Sequence, residues 1–184
     1  MFSPEWRPPT LETDRLVLRA FEEADAEPLF PHAANPNVTR FTLWDYHKTI
    51  NDTFNFVRDY ARCRYLEGVP EPYAICLKDD PQPVGALGCF WASQPNRTME
   101  LGYWIGERFW NKGLVVEACR AVLAHAFAAC GPERIQARVI AGNEPSVRVL
   151  AKLGFRYEGT LRSSLFRRGN FEDVRFFSLL RSEQ

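Results

Sequence analysis

NEPSVRVLAKLGF, Asn143 to Phe155, reads as a strand end, a short capped helix and a hard stop. Asn143 is a good N-cap, Pro145 sits in the first turn where its missing N–H costs nothing, and Gly154 ends the helix. Phe155 opens another apolar run. A helix start that carries a polar Asn and Ser suits an anionic or carbonyl-bearing ligand. The stretch therefore predicts a helix set between two strands, with chemistry at its first turn.

Working outward, Ile135 to Ile140 is a β-branched strand, and Phe155 to about Leu180 a hairpin. Lys112 to Cys130 is the longest helix, with Leu114, Ala118, Val122 and Ala126 on its buried face. Met99 to Ile105, Val84 to Trp91 and Tyr73 to Leu77 read as strands, the last two separated by the turn-like KDDPQP. Thr49 to Leu66 is a helix with a stripe of Ile50, Phe54, Val57 and Ala61. Glu22 to Ala34 is a shorter helix and Leu16 to Ala20 a strand. Residues 1–10 are Pro-rich and predict a tail or strap. The order β, α, α, β, β, β, α, β, α, β, β predicts one domain over residues 1–184. Its class is α/β, one mixed sheet covered on both faces.

Composition narrows the function. With 184 residues, 46% of them hydrophobic, the chain can bury a sizeable core. No apolar run approaches the ~20 residues of a membrane span, and MFSPEWRPPT lacks the apolar core of a signal peptide. Lys+Arg and Asp+Glu are both 23, so charge makes no case for a nucleic-acid or membrane partner. Cys63, Cys76, Cys89, Cys119 and Cys130 form no C-x-x-C pair, and His32, His47 and His125 have no ligand spacing. The expectation is reduced cytoplasmic thiols and no metal. A G-x-G-x-x-G opening a βαβ unit is absent, which disfavours an NAD-binding domain.

Three segments carry candidate chemistry. Glu107 to Val116, ERFWNKGLVV, follows a strand and opens a helix, so N–H groups there face any bound anion; Gly113 leaves room and Lys112 adds positive charge. Glu100 lies inside the apolar strand MELGYWI, on one face with Thr98, Gly102 and Trp104. A carboxylate there lines a cleft as a base or is paired structurally. Ser146, one turn before Leu150 on the same helix face, is either a reactive hydroxyl or a first-turn residue bonded locally.

These segments resemble the GNAT N-acetyltransferases, in the RimJ/RimL-type branch that modifies ribosomal-protein N-termini. The spacing Asn-x-x-Ser-x-x-x-x-x-Lys-x-Gly-Phe is similar to that branch's second cofactor motif. LETDRLVLRA, VTRFTLWDYHKTINDTFNF, MELGYWIGERFWNKGLVVEA and GTLRSSLFRRGNFEDVRFFSLL match further segments in the expected order. The resemblance implies a GNAT fold, with a mostly antiparallel sheet of about seven strands. It implies acetyl-CoA as co-substrate, its pyrophosphate on a loop of Trp110, Asn111, Lys112, Gly113, Leu114 and Val115. Only the central glycine of the family's loop pattern survives, because Trp110 and Val115 replace two of its residues. Tyr103, Trp104 and Ile105 would offer backbone groups to the pantetheine arm where two parallel strands splay apart, beside Asn143. Many GNAT enzymes carry a Tyr at the position of Leu150, which donates nothing, so Ser146 takes the role near the leaving thiolate and Glu100 that of base. Phe41, Trp44, Asp45 and Phe166 fall in the two segments that flank the acceptor channel, though a solvated edge also explains the hairpin's arginines. The acceptor expected is a protein N-terminal amine. A small-molecule amine and a non-catalytic CoA-binding module are the alternatives, and monomer and homodimer stay open.

Overall fold

The computed structural model describes residues 6–66 and 68–184. Its strands are β1 (Leu11–Glu12), β2 (Leu16–Ala20), β3 (Tyr73–Leu77), β4 (Asp80–Ser93), β5 (Thr98–Ile105), β6 (Arg134–Ile140), β7 (Arg156–Arg167) and β8 (Asn170–Leu180). They form one sheet in the order β1-β2-β3-β4-β5-β6-β8-β7. The neighbours are antiparallel except β5 and β6. The helices are α1 (Ala26–Ala33), α2 (Ile50–Phe54), α3 (Ala61–Leu66), α4 (Leu114–His125) and α5 (Glu144–Lys152). This is the mixed, mostly antiparallel sheet expected, with helices on both faces. The eighth strand is short β1, and the expected tail falls partly on residues 1–5, outside the described residues. Trp6 packs on the smaller of two cores, and Pro8 is buried.

The larger core lies under α4 and α5, with Leu114, Ala118, Val122 and Leu150 meeting Met99, Leu101 and Ile135 from the sheet. The smaller lies on the opposite face, where Leu29, Val57, Ala61 and Tyr65 meet Ala74, Cys76 and Ala86. Strand alternation divides β5 between them. Met99, Leu101, Tyr103 and Ile105 belong to the first face, and Trp104 packs on the second.

Three local readings need correction. The buried line of the second helix is Thr53, Val57, Ala61 and Tyr65, whereas Ile50 and Phe54 are half-buried. A strict spacing of four drifts around an α-helix, and the π-helical segment Asn55–Tyr60 widens the turns enough to hold it on one face. KDDPQP is not all turn. Leu77 already pairs with Asp80, and Cys76 with Pro83 across a bulge. Prolines are tolerated there because β5 ends opposite Gly85, which leaves Asp80–Pro83 with β3 as their one partner. The longest helix starts at Leu114 instead of Lys112 and turns π-helical from Ala126 to Cys130.

The helix α5 forms as its sequence dictates. Asn143 Oδ1 accepts the Ser146 N–H at 3.3 Å, and Gly154 adopts φ +83° just beyond the last turn. Phe155 N–H donates to Leu150 O at 3.0 Å and Gly154 N–H to Ala151 O at 3.1 Å, a Schellman closure that brings Phe155 and Leu150 into one cluster. Cys76, Cys89 and Cys119 are buried, Cys130 is half-buried and Cys63 is exposed. Burial pushes the thiols of Cys76, Cys89, Cys119 and Cys130 up.

Leu150 is fully buried and joins α5 to the larger core. Leu150→Ala should therefore lower the unfolding free energy by about 2–5 kcal/mol, read by denaturant titration. A loss under about 1 kcal/mol would mean that α5 is not held by this contact.

Candidate active site

The site is built where the parallel pair stops. β5 and β6 pair at Thr98↔Arg134, Met99↔Ile135 and Glu100↔Gln136, and nowhere beyond. Past that point β5 continues on β4 as far as Ile105↔Gly85, and β6 continues on β8 as far as Ile140↔Val174. The two strands thus part into a V whose inner edges carry backbone groups with no ladder partner across the gap. Tyr103, Trp104 and Ile105 lie on one arm of it. The Ile105 carbonyl is already taken, since Trp110 Nε1 donates to it at 2.9 Å.

At the mouth of the V, residues 106–113 turn into α4. Asn111 has φ +60° and Gly113 φ +78°, the left-handed region, where a side chain is strained. Gly113 is the N-cap of α4, and no side chain among the described residues caps it. The first N–H groups of the helix, around Leu114 and Val115, are left for another acceptor. A Cβ on Gly113 would meet Arg15 Nη2 at 3.5 Å. The open cavity here, about 570 Å³, is lined by Arg15, Gly113, Arg120 and Lys152, with the carboxylates Asp14 and Glu117 also on its wall. Arg15 is tied down, with Nη2 2.6 Å from Glu117 Oε2 and Nη1 3.1 Å from Lys112 O. Uncapped N–H groups, a bare left-handed glycine and nearby cations fit a diphosphate. Val115 packs on the core from inside the helix, where it needs no glycine-like freedom.

On the α5 side of the V, Ser146 is half-buried, and its Oγ lies 2.7 Å from the Tyr103 hydroxyl. Burial pushes the Tyr103 phenol well up, so it stays protonated at neutral pH. Asn143 spends its carbonyl on the cap, and its amide N–H groups make no hydrogen bond among the described residues. Leu150, one turn on, is fully buried in the larger core, against which Tyr103 also packs.

Glu100 sits at the branch point on the opposite face of β5. It is buried, with Arg138 Nε 2.8 Å from one oxygen and Gln136 Nε2 3.0 Å from the other. Glu100 and Ser146 therefore do not touch, and the strand stands between them. The same face carries an aromatic row. Trp44 lies 5.3 Å from Trp104 and 5.3 Å from His47, and His47 lies 6.3 Å from Phe56. Burial lowers the His47 pKa, outweighing nearby Asp52, and its Nδ1 is 2.8 Å from Thr53 Oγ1.

The four expected acceptor residues are dispersed around this row. Trp44 is in it. Phe41 reaches the turn after β6, where its ring would lie 3.8 Å from a Cβ on Gly142. Asp45 is bound to Arg168 Nε at 2.7 Å, and Phe166 packs tilted against Phe171, ring centroids 5.0 Å apart, at the exposed hairpin tip. Sequence reasoning missed the Tyr103 hydroxyl, named only for its backbone, and the ring contact of Trp104, which was placed on the face of Glu100 but given no partner. It also missed how Arg167 and Arg168 latch the loop before α2. Arg167 Nη1 donates to Arg40 O and Thr42 O, and Arg168 to Asp45, Thr39 O and Trp44 O. Alternation along MELGYWI separates Tyr103 from Trp104, but nothing local says which helices cover which face.

Removing one latch should loosen the loop without unfolding the sheet. Arg168→Ala is expected to speed amide hydrogen exchange across residues 39–45 by about tenfold or more, with β3 to β5 unchanged. Equal protection of that loop in both proteins would show that the latch is dispensable.

Residues 15–156 match the model of the acetyltransferase (GNAT) domain. The chain is 38% identical over 180 residues to "Putative ribosomal N-acetyltransferase YdaF" of Bacillus subtilis, covering 92% of this chain and 93% of that one. A GNAT-family acetyltransferase from Bacillus anthracis superposes with a TM-score of 0.84 at 25% identity, over 95% of this chain and all of that one. RimL, described as a ribosomal L7/L12 alpha-N-protein acetyltransferase in complex with coenzyme A, superposes at 0.83 with 20% identity, over 96% of this chain and all of that one. That last likeness concerns the fold. Together with the parted strands and the uncapped start of α4, these matches make the chain an acetyl-transfer enzyme that belongs to the GNAT N-acetyltransferases and resembles the Rim branch.

Proposed function

We propose that the enzyme moves an acetyl group from acetyl-CoA to a protein or peptide N-terminal amine, through the gap between β5 and β6. The observation that carries this is the division of chemistry across the gap. The hydroxyl pair of Ser146 and Tyr103 lies on one face of β5, and Glu100 with the Trp44–Trp104 row on the other. Acetyl-CoA supplies an activated thioester. Its diphosphate is held by the N–H groups of Gly113, Leu114 and Val115, with Lys112 adding charge and Trp110 and Asn111 shaping the loop. The unpaired edge of Tyr103 and Trp104, with the Asn143 amide, directs the arm into the V.

The acceptor enters from the aromatic face, between the loop of Phe41, Trp44 and Asp45 and the hairpin of Phe166. Attack leaves positive charge on the amine, and the Glu100 carboxylate offers compensating negative charge. With Arg138 and Gln136 on its two oxygens, Glu100 still has lone pairs free, because a carboxylate accepts about four bonds. Ser146 donates to the departing sulfur. A thiol of pKa near 8.5 leaves tolerably with such help and without full protonation. The name of the Bacillus subtilis relative, a putative ribosomal N-acetyltransferase, supports a macromolecular acceptor over a small amine. The ordinary acidity of the two amine types supports the same acceptor. An α-amine of pKa near 7.7–8 is neutral in about a tenth of molecules at pH 7, a lysine of pKa near 10.4 in well under about a hundredth.

Two outcomes are expected. Gly113→Asp places a side chain in strained backbone and a repelling charge at the diphosphate, so calorimetry should register a large loss of acetyl-CoA affinity; wild-type affinity would move the diphosphate elsewhere. On a peptide carrying both an α-amine and a lysine, brief reaction followed by mass spectrometry should find the α-amine labelled first. Labelling should quicken as pH climbs through that amine's own pKa. Preferential lysine labelling would overturn the assignment, and labelling of neither would point to a small-molecule amine.

A further inference from the structure

The pattern of donors around the sulfur position has a gap and a filler. Leu150 is sealed in the core, so α5 offers one hydroxyl to the cleft, that of Ser146. A serine hydroxyl is a free rotor, and its proton can equally point at the Asn143 side chain, at a nearby carbonyl or into the cleft. Something must fix it for donation to be efficient.

Resting on the acetyl-transfer reading above, we propose that Tyr103 is a positioning residue that donates its phenolic hydrogen to Ser146 Oγ and so aims the serine's own hydrogen at the leaving sulfur. The distance is 2.7 Å, the optimum for O–H···O, against 3.4 Å from the same phenol to the Ser146 carbonyl. A phenol is a stronger donor than an aliphatic alcohol, which favours Tyr103 as the donor of the pair. Once Ser146 Oγ accepts that hydrogen, its remaining hydrogen is released for another acceptor, and the accepted bond polarises it further. No net proton leaves Tyr103. Burial holds its phenol in the protonated form. The C–S bond breaks to a thiolate, which Ser146 stabilises by a hydrogen bond; the amine's proton goes to solvent, and solvent protonates the thiolate after release.

The arrangement is also built to last. The β4–β5 ladder at Leu87 holds the Tyr103 backbone and the Asn143 cap holds the Ser146 backbone, so the two side chains start from fixed positions and the 2.7 Å bond joins them. The strand thereby supplies to the cleft what the helix position at Leu150 cannot.

The test is a double-mutant cycle in single-turnover acetyl transfer, with acetyl-CoA affinity measured separately by calorimetry. Ser146→Ala should slow transfer on the order of a hundredfold, and Tyr103→Phe by about tenfold or more, each with affinity within about twofold of wild type. In the Ser146→Ala background, Tyr103→Phe should have no further effect. A merely structural tyrosine would lower the rate by the same factor in both backgrounds, or lower thermal stability while sparing the rate; either result overturns the proposal. Should Tyr103→Phe fold poorly, Ser146→Thr tests the same point: it keeps the hydroxyl bonded to Tyr103 and should retain most of the rate that Ser146→Ala loses. A threonine as slow as alanine would also overturn it. Wild-type protein that binds acetyl-CoA and acetylates no amine would instead refute the acetyl-transfer reading, a result distinct from any variant's behaviour.

Discussion

Everything in this molecule is arranged around a parallel ladder that is only three pairs long. Parallel neighbours normally run together under their crossover helix. Here β5 and β6 separate after Glu100↔Gln136, and the separation is cheap because each strand keeps an antiparallel partner on its far side. The gap so formed is narrow at Glu100 and widens toward α4 and α5. The uncapped start of α4 and the first turn of α5, with Asn143 and Ser146, follow directly on the ends of the two parted strands. A longer ladder would close the gap, and a shorter one would release the two halves of the sheet.

Much of this was legible in the sequence because it is locally encoded. Asn143, Pro145 and Gly154 fix both ends of α5, and the apolar spacing of Leu114, Ala118, Val122 and Ala126 gives the buried face of α4. The strand–loop–helix order of residues 99–125 was readable too, and the structure leaves the start of α4 without a side-chain cap. What was not legible depends on partners far apart in the chain. Tyr103 and Ser146 are 43 residues apart, and Arg168 and Asp45 are 123 apart. The two arginines of RRGN could as well have been a solvated turn. Glu100 was visible as an anomaly in an apolar strand, but Gln136 and Arg138 can be matched to it only once β6 is set in register. The widened turns at Asn55–Tyr60 were hidden because apolar spacing assumes an ideal helix.

Helix α5 shows how stability and chemistry share one element. Its inner face is committed to the core through Leu150 and, at the stop, Phe155. Its first turn faces the gap and carries Asn143 and Ser146. The cap that makes the helix stable also holds the backbone from which the Ser146 hydroxyl projects. The two demands are compatible because they fall on different turns, and the reacting group is placed by the N-terminal one.

The cysteines acquire a meaning in this setting. A thioester exchanges readily with any thiolate it meets, and the thiolate is the reactive form. Cys76, Cys89, Cys119 and Cys130 are held as neutral thiols by burial, and exposed Cys63 lies on α3. An enzyme that handles an activated acyl donor is thus kept from acylating its own interior. Among the described residues these four thiols offer a thioester no ready thiolate to exchange with, so burial does for the core chemically what it does for it by packing.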